Sequence, residues 1–182
     1  TTPRHWFIDP ALSRHAYSNH PLPIGYGQTI SQPYIVARMT QELLSQGPVT
    51  KVLEIGTGCG YQTAILAQLV DHVYTVERIH NLQLAARTHL ARLEVQNVSF
   101  SYGDGQWGWA EFAPYSGILV TAAPSSIPQL LLEQLALGGR LVIPVSESTG
   151  GQVLWKVIRS RTGYQQEFLE EVNFVPLCKG VV

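Results

Sequence analysis

Cysteine is rare in this sequence, and neither the cysteines nor the histidines stand at spacings that bind metal. The two cysteines, Cys59 and Cys178, form no CxxC pair, and the six histidines form no HExxH pattern. The sequence therefore predicts neither a disulfide framework nor a metal site. We expect two free thiols in a reducing compartment.

Charged residues are also few, at 14% of the chain, and 12 Lys and Arg nearly balance 13 Asp and Glu. No basic run is present, which argues against strong general affinity for nucleic acid or anionic membranes. No apolar stretch reaches membrane-spanning length and no signal-peptide pattern opens the sequence, so we expect a cytoplasmic protein. The first residue is Thr, however, which leaves room for a segment upstream.

What the sequence does have is a hydrophobic fraction of 45% over 182 residues, enough to bury one well-formed core. No internal repeat, low-complexity tract or linker divides it. We therefore predict a single domain over residues 1–182, with 48–182 as its ligand-binding core. The segment 1–47, crowded with Pro and Gly around 21–33, is predicted to cover the substrate and the ligand.

Short apolar runs alternate with helical patterns after residue 48, which predicts parallel βαβ units. The predicted strands are 51–55, 72–77, 97–102, 117–121 and 140–145, and the predicted helices are 34–46, 61–70, 81–93 and 127–137. We expect the last helix to stop at Gly138-Gly139. Two further strands are predicted at 153–161 and 167–175, joined through Thr162-Gly163. We expect them to pair antiparallel at the end of the sheet. The fold class is thus an α/β, Rossmann-like doubly wound sheet with antiparallel C-terminal strands.

A glycine-rich turn lies between the first core strand and the helix that follows it, with the sequence EIGTGCG over Glu54–Gly60. Glycines let the chain turn tightly and let a ligand approach the backbone. In an open α/β sheet, ligands bind at the carboxyl ends of the strands. The GxGxG spacing differs from the GxGxxG that dinucleotides favour, and a plain strand-to-helix turn is the alternative.

Two acidic residues follow the next two strands. Glu77 ends the second core strand, where a carboxylate can accept hydrogen bonds from both hydroxyls of an adenosine ribose. Asp104, between Gly103 and Gly105 after the third strand, can accept one from an adenine amino group. Taken singly, Glu77 also suits a solvated strand end, and Asp104 an ordinary Asp-Gly turn. Together they favour S-adenosylmethionine over a dinucleotide, because nothing here demands a pyrophosphate site.

The segment Leu22–Pro33, LPIGYGQTISQP, resembles the signature loop of the protein-L-isoaspartate O-methyltransferase family. The resemblance runs from about Trp6 and includes Glu54–Gly60, Val73–Arg78, Gly103–Gly105, Val120–Ala123, Gly138–Val145 and Phe174–Leu177. Many methyltransferases share the glycine turn, whereas the PIGxGQTIS loop is specific to this family. Cys59 departs from the pattern, because a small residue such as Ser is expected there, and Ser116-Gly117 stands where Asp-Ala is common.

The resemblance implies a seven-stranded methyltransferase sheet and methyl transfer from S-adenosylmethionine to the free carboxylate of isoaspartyl residues, which starts repair through a succinimide. It implies isoaspartyl proteins and peptides as partners. From the composition and the residue spacing we expect no nucleic acid, membrane or metal, and we also expect a monomer. Ser31 matches the family's active-site serine, and Gln152 a position near the donor, although a surface polar residue would also suit Gln152. The residues predicted to bind the donor are Thr29, Ile30, Ser31, Glu54, Gly56, Thr57, Gly58, Cys59, Glu77, Arg78, Gly103, Asp104, Gly105 and Gln152.

Ser31 is predicted to orient the acceptor and not to attack it. A carboxylate is already ionised at neutral pH and needs no general base before it attacks a sulfonium methyl group. What remains is alignment and exclusion of water, to which a hydrogen bond from Ser31 would contribute. Ser31-Gln32-Pro33 also matches a helix start, so the serine could cap that helix instead, and both roles can coexist.

Three other functions stay open on the residues alone. A methyltransferase acting on RNA or a small metabolite would share the glycine turn, but not the loop from Pro23 to Ser31. A dinucleotide-dependent oxidoreductase is disfavoured by the GxGxG spacing. A binding module that kept the nucleoside site without catalysis would retain the same Ser31, Glu77 and Asp104.

Overall fold

A seven-stranded mixed sheet forms the centre of the computed structural model, which describes residues 2–182. The sheet contains β3 (Lys51–Ile55), β4 (His72–Glu77), β5 (Val98–Tyr102), β6 (Tyr115–Val120), β7 (Leu135–Ser146), β8 (Gln152–Ser160) and β9 (Gly163–Val172). Its order is β5-β4-β3-β6-β7-β8-β9, parallel as far as β7 and antiparallel from β7 to β9. The predicted fold class is confirmed.

Four α-helices and a small hairpin accompany this sheet. The helices are α1 (Pro33–Leu44), α2 (Tyr61–Ala67), α3 (His80–Arg92) and α4 (Gln129–Glu133). The hairpin pairs β1 (Leu22–Gly25) with β2 (Gln28–Ile30) and was not predicted from the sequence. Before it, two 3₁₀ helices at Arg4–Phe7 and Pro10–His15 carry the N-terminal segment. No helix in residues 2–182 is both long and apolar enough to cross a membrane.

The central strands are buried on both faces, which explains why their sequences do not alternate. Val52, Leu119 and Val142 are fully buried against the face that α1 and α2 cover. Their neighbours Leu53, Ile118 and Leu141 are fully buried on the opposite face, together with leucines of α4. Each central strand therefore contributes apolar side chains to two cores at once.

The strand order places a crevice beside β3. From β3 the chain moves outward through β4 to β5, and then returns to form β6 on the other side of β3. At such a reversal the connections leave in opposite directions, so a space opens at the carboxyl ends of the two neighbouring strands. The residues that follow Ile55 and Val120 therefore face a common crevice.

The predicted helix over 127–137 is wrong in its second half. Helix α4 ends at Glu133, and β7 already begins at Leu135, which pairs with Tyr115. Gly138 and Gly139 lie inside this strand and do not stop a helix. A Cβ on Gly139 would lie 2.9 Å from the Tyr115 carbonyl oxygen, because the register shifts at this point. The pairing with β6 overrides the helical pattern of the leucines.

Candidate active site

The glycine turn after β3 forms one wall of the crevice. Gly56 and Gly58 both have a positive φ, +92° and +54°, a backbone conformation that residues with a Cβ rarely adopt. A Cβ on Gly56 would lie 2.3 Å from Thr121 Oγ1, and one on Gly58 would lie 3.3 Å from Ile24 Cδ1. The positive φ values, and at Gly56 the nearby Thr121 side chain, therefore favour glycine, and at both positions the turn lines the cavity with main chain alone.

Glu77, at the end of β4, points back at this turn. Its Oε2 accepts a hydrogen bond from the Gly58 amide at 2.8 Å, and its Oε1 accepts one from the Ile79 amide at 2.9 Å. The residue is only 5% exposed, and it lines the cavity. A carboxylate can accept about four hydrogen bonds, so acceptor capacity remains for hydroxyl groups of a ligand.

An open cavity lies at the carboxyl ends of β3, β4 and β6, and the empty space inside it and at its mouth is about 820 Å³. Its wall comes from the hairpin, the glycine turn, the end of β4 and the segment Val175–Cys178. The predicted donor-binding residues that line it are Thr29, Ile30, Ser31, Gly56, Thr57, Gly58, Cys59, Glu77, Arg78 and Gly105.

A second open cavity adjoins the first and lies between α1 and the end of β9, and the empty space inside it and at its mouth is about 1030 Å³. Thr29, Ser31, Thr121 and Val175 line both cavities, so they form the boundary between them. Glu170 on the far wall is paired with Arg38, with 3.2 Å between Arg38 Nε and Glu170 Oε1. Ser31 thus stands where contents of the two cavities would meet.

The family model described as protein-L-isoaspartate(D-aspartate) O-methyltransferase matches residues 1–182. The chain belongs to this family.

A protein-L-isoaspartate O-methyltransferase of Shewanella loihica is 60% identical over 98% of this chain and 83% of its own length. One of Pseudomonas aeruginosa is 56% identical over 100% of this chain and 85% of its own length. A crystal structure from Plasmodium falciparum, described as a protein-L-isoaspartate O-methyltransferase in complex with S-adenosyl-L-homocysteine, has a TM-score of 0.84. It is 26% identical and covers 97% of this chain, which covers 86% of it.

In this family member Ser31 does not cap a helix, and the capping alternative is wrong. Gln32 occupies the N-cap of α1 and makes no side-chain capping bond. The Asn19 side chain instead accepts a hydrogen bond from the Tyr34 amide at 3.0 Å, in the first turn of α1. Among residues 2–182, no hydrogen-bond partner of the Ser31 hydroxyl is found, so that group is available to a ligand.

Glu54 does not reach the cavity of this methyltransferase, although it was predicted to bind the donor. It is fully buried behind the glycine turn, where its Oε2 accepts hydrogen bonds from Thr63 Oγ1 at 2.5 Å and Thr75 Oγ1 at 2.6 Å. Burial raises the pKa of Glu54 to about 7 against the opposing effect of these two hydroxyls. Thr75 also bonds Thr57 at 2.6 Å, so Glu54 reaches the cavity wall only through other residues.

Asp104 and Gln152 also lie outside the cavity lining, as does Gly103. Asp104 accepts hydrogen bonds from the Gln106 amide at 2.9 Å and the Gly180 amide at 2.7 Å. Gln152 bonds both the amide and the carbonyl of Phe174, at 2.6 and 3.0 Å. Both side chains therefore hold the C-terminal segment in place. The sequence around Asp104 and Gln152 did not predict that this segment returns to the sheet.

That C-terminal segment supplies site residues which the sequence reasoning did not include. Leu177 and Cys178 line the first cavity. The segment is held by Arg78 Nε, which donates to the Gly180 carbonyl at 2.9 Å, and by the Val182 amide, which donates to the Arg78 carbonyl at 2.8 Å. The family resemblance at Phe174–Leu177 was the one signal that pointed to this region.

Proposed function

We propose that this chain transfers a methyl group from S-adenosylmethionine to the free carboxylate of isoaspartyl residues in proteins. The observation on which this rests is the position of Ser31 on the boundary between two cavities, with a hydroxyl that has no partner in residues 2–182. One cavity has features that suit an adenosine-containing donor. The other opens to the surface, as a peptide acceptor requires.

The residues of the first cavity fit the donor. Gly56 and Gly58 line the cavity without side chains, and Glu77 would present acceptor oxygens to ribose hydroxyls. When bound, S-adenosylmethionine supplies an electrophilic methyl group attached to sulfur. Thr29 and Ser31 line both cavities, and Ile30 between them lines the first, so the methyl group would have to be presented at this boundary.

The acceptor needs orientation more than activation. Its carboxylate is ionised at neutral pH, so this chain has no proton to remove before transfer. The Ser31 hydroxyl would donate a hydrogen bond to one carboxylate oxygen and leave the other directed at the donor. Leu177 and Ile30 cover the site with apolar surface, which helps to exclude water from it.

Selectivity follows from geometry, because isoaspartate and aspartate carry the same charge. The isoaspartyl main chain is one methylene longer, so its carboxylate projects differently from the peptide. A displacement of about 1 Å from the in-line geometry can cost about a hundredfold in rate. We therefore expect an isoaspartyl peptide to be methylated at least about a hundredfold faster than its aspartyl twin.

Radiolabelled methyl transfer to the two peptides, with a folded isoaspartyl loop and a structured RNA as further acceptors, tests this function. We expect the extended isoaspartyl peptide to be preferred over the folded loop, and the RNA to remain unlabelled. Comparable rates on the two peptides would overturn the repair function. Labelling of RNA alone would instead favour a methyltransferase of another substrate class.

The remaining expectations stay predictions. They are that the protein works as a cytoplasmic monomer without a metal ion, and that residues 1–47 form a cover over the 48–182 core. In support of the cover, the N-terminal 3₁₀ helices and the hairpin pack together with Cys59, Ala64 and Leu90 in one apolar cluster. Sedimentation of the purified protein with and without S-adenosylhomocysteine would test the oligomeric state.

A further inference from the structure

Arg4 is a buried charge that the proposed reaction does not use. It lies in the first 3₁₀ helix and is 0% exposed. Its guanidinium donates hydrogen bonds to the carbonyls of Ala16 at 2.7 Å, Ser31 at 2.7 Å and His20 at 3.4 Å. No carboxylate in residues 2–182 lies within salt-bridge distance of it. Burying a cation is costly unless it is hydrogen-bonded, so these carbonyls are what keep it in place.

The three carbonyls belong to segments on both sides of the hairpin. Ala16 and His20 lie before β1, whereas Ser31 directly follows β2. The planar fork of a guanidinium fixes the relative positions of its partners better than a single ammonium group can. Arg4 therefore ties the two ends of the hairpin together and holds the main chain at Ser31.

Arg4 also contacts the donor side of the site. Its guanidinium carbon lies 5.3 Å from the centre of the Tyr61 ring, and Tyr61 lines the first cavity at the start of α2. A cation over an aromatic ring is attracted to it at this distance. One side chain thus connects the residue after the glycine turn with the main chain of Ser31.

We propose that Arg4 is a positioning residue of the methyl transfer, which holds Ser31 where its hydroxyl can reach the acceptor carboxylate. The inference rests on the proposed function of Ser31. The Ser31 hydroxyl has no partner of its own in residues 2–182, so the position of its main chain sets the distance over which the hydroxyl can reach the acceptor. A shift of about 1 Å there is enough to lower the rate about a hundredfold.

The test compares Arg4→Lys and Arg4→Met with Arg14→Met, a control on the neighbouring exposed 3₁₀ helix. The readouts are the folded fraction, the Kd of S-adenosylhomocysteine by calorimetry, and kcat and KM for an isoaspartyl peptide. We expect both Arg4 variants to lose at least about tenfold in kcat per folded molecule, with the Kd changed less than about threefold. Arg14→Met should match the wild type. If Arg4→Met does not fold, Arg4→Lys decides alone.

A double-mutant cycle with Ser31→Ala separates positioning from a merely structural role. If Arg4 acts through Ser31, Arg4→Lys should lower kcat far less in the Ser31→Ala background than in the wild type. An equal loss in both backgrounds, or a wild-type kcat in Arg4→Lys, would overturn the inference. Failure of the proposed function would look different, because the wild type itself would then not prefer the isoaspartyl peptide.

Discussion

The two walls that meet at Ser31 are built in different ways: the donor wall is the glycine turn with the end of β4, which line the first cavity, and the acceptor wall is the segment 29–35, which borders the second. The donor wall follows directly from the main sheet: Ile55 pairs with Val76, and the Gly56 amide then donates to the Val76 carbonyl at 2.9 Å. The acceptor wall includes β2 of a separate two-stranded hairpin and is held by single side chains such as Arg4 and Asn19. Changes at the donor wall should therefore affect binding, and changes at the acceptor wall should affect rate or stability.

The largest effect is expected for Gly58→Val in the donor wall. The variant must adopt a positive φ of +54° with a β-branched side chain, and its Cβ enters space beside Ile24 and the cavity. We expect S-adenosylhomocysteine affinity to fall about a thousandfold or more, about 4 kcal/mol, in calorimetric titration. The control is Gly138→Val, which carries similar strain at φ +78° with nothing within 4 Å of its Cβ. Normal binding by folded Gly58→Val would make the turn merely structural.

Glu54, which is buried behind the donor wall, can be tested through the pH dependence of the free energy of unfolding. Burial raises the pKa of Glu54 to about 7 from 4.5, so the folded state binds this proton more tightly than the unfolded state does. The contribution of protonated Glu54 to the free energy of unfolding is therefore fully present below pH 4.5, and it is lost as the pH rises toward and through 7. The loss approaches about 3 kcal/mol, at 1.36 kcal/mol per pKa unit.

Glu54→Gln removes this titration. The difference in unfolding free energy between Glu54→Gln and the wild type, measured with urea, should therefore shift by up to about 3 kcal/mol in favour of the variant between pH 4.5 and 8. Glu133→Gln, at an exposed carboxylate, is the control and should run parallel to the wild type. Parallel curves for both variants would show that Glu54 is not perturbed by its burial.

Glu77→Ala should have a smaller effect on donor binding than Gly58→Val. It removes an acceptor for ligand hydroxyls, and hydrogen bonds to charged groups contribute about 1.5–3 kcal/mol. Calorimetry with S-adenosylhomocysteine should therefore show that much weaker binding, whereas Glu133→Ala should bind normally. Because Glu77 also accepts from the Gly58 and Ile79 amides, a circular dichroism spectrum must show that the variant is folded. Unchanged affinity would remove Glu77 from the ribose site.

On the acceptor wall, Asn19→Ala and Ser31→Ala should separate stability from rate. Asn19 caps the first turn of α1, so its loss should lower the free energy of unfolding by about 1 kcal/mol. Ser31→Ala should leave stability within about 0.5 kcal/mol of the wild type. It should nevertheless lower kcat about tenfold or more, the equivalent of one hydrogen bond to a charged group. The opposite pattern in thermal unfolding and steady-state kinetics would return the capping role to Ser31.

Much of the donor wall could be predicted from the sequence because it depends on local pattern. Strands β3 and β4 have the predicted bounds, since each is a short run rich in apolar and β-branched residues that is followed by a turn. The structure of Leu130–Leu137 could not be predicted in this way, because the sequence LLLEQLAL suits a helix and a strand equally well. Only the pairing of Leu135 with Tyr115, on a strand that lies earlier in the chain, decides between them.

The acceptor wall could not be assembled from local pattern. Arg4 and Ser31 are separated by 27 positions, and Asn19 and Tyr34 by 15, with no periodicity to connect them. The same limit applies to Asp104 and Gly180, which are separated by 76 positions. Here the family resemblance supplied Ser31, and the physical reason for its placement became visible only in the folded chain.

The wall formed by Leu177 and Cys178 has a consequence for how the molecule resists proteolysis. A ligand in the first cavity touches segments far apart in sequence, so none of them can open locally without breaking its contacts. At a hundredfold excess over its Kd, such a ligand raises the free energy of opening by about 2.7 kcal/mol. The exposed segment from Cys178 to Val182 should therefore gain hydrogen-exchange protection when the donor is abundant. When the donor is scarce, the same segment should lose this protection and become easier for a protease to cleave.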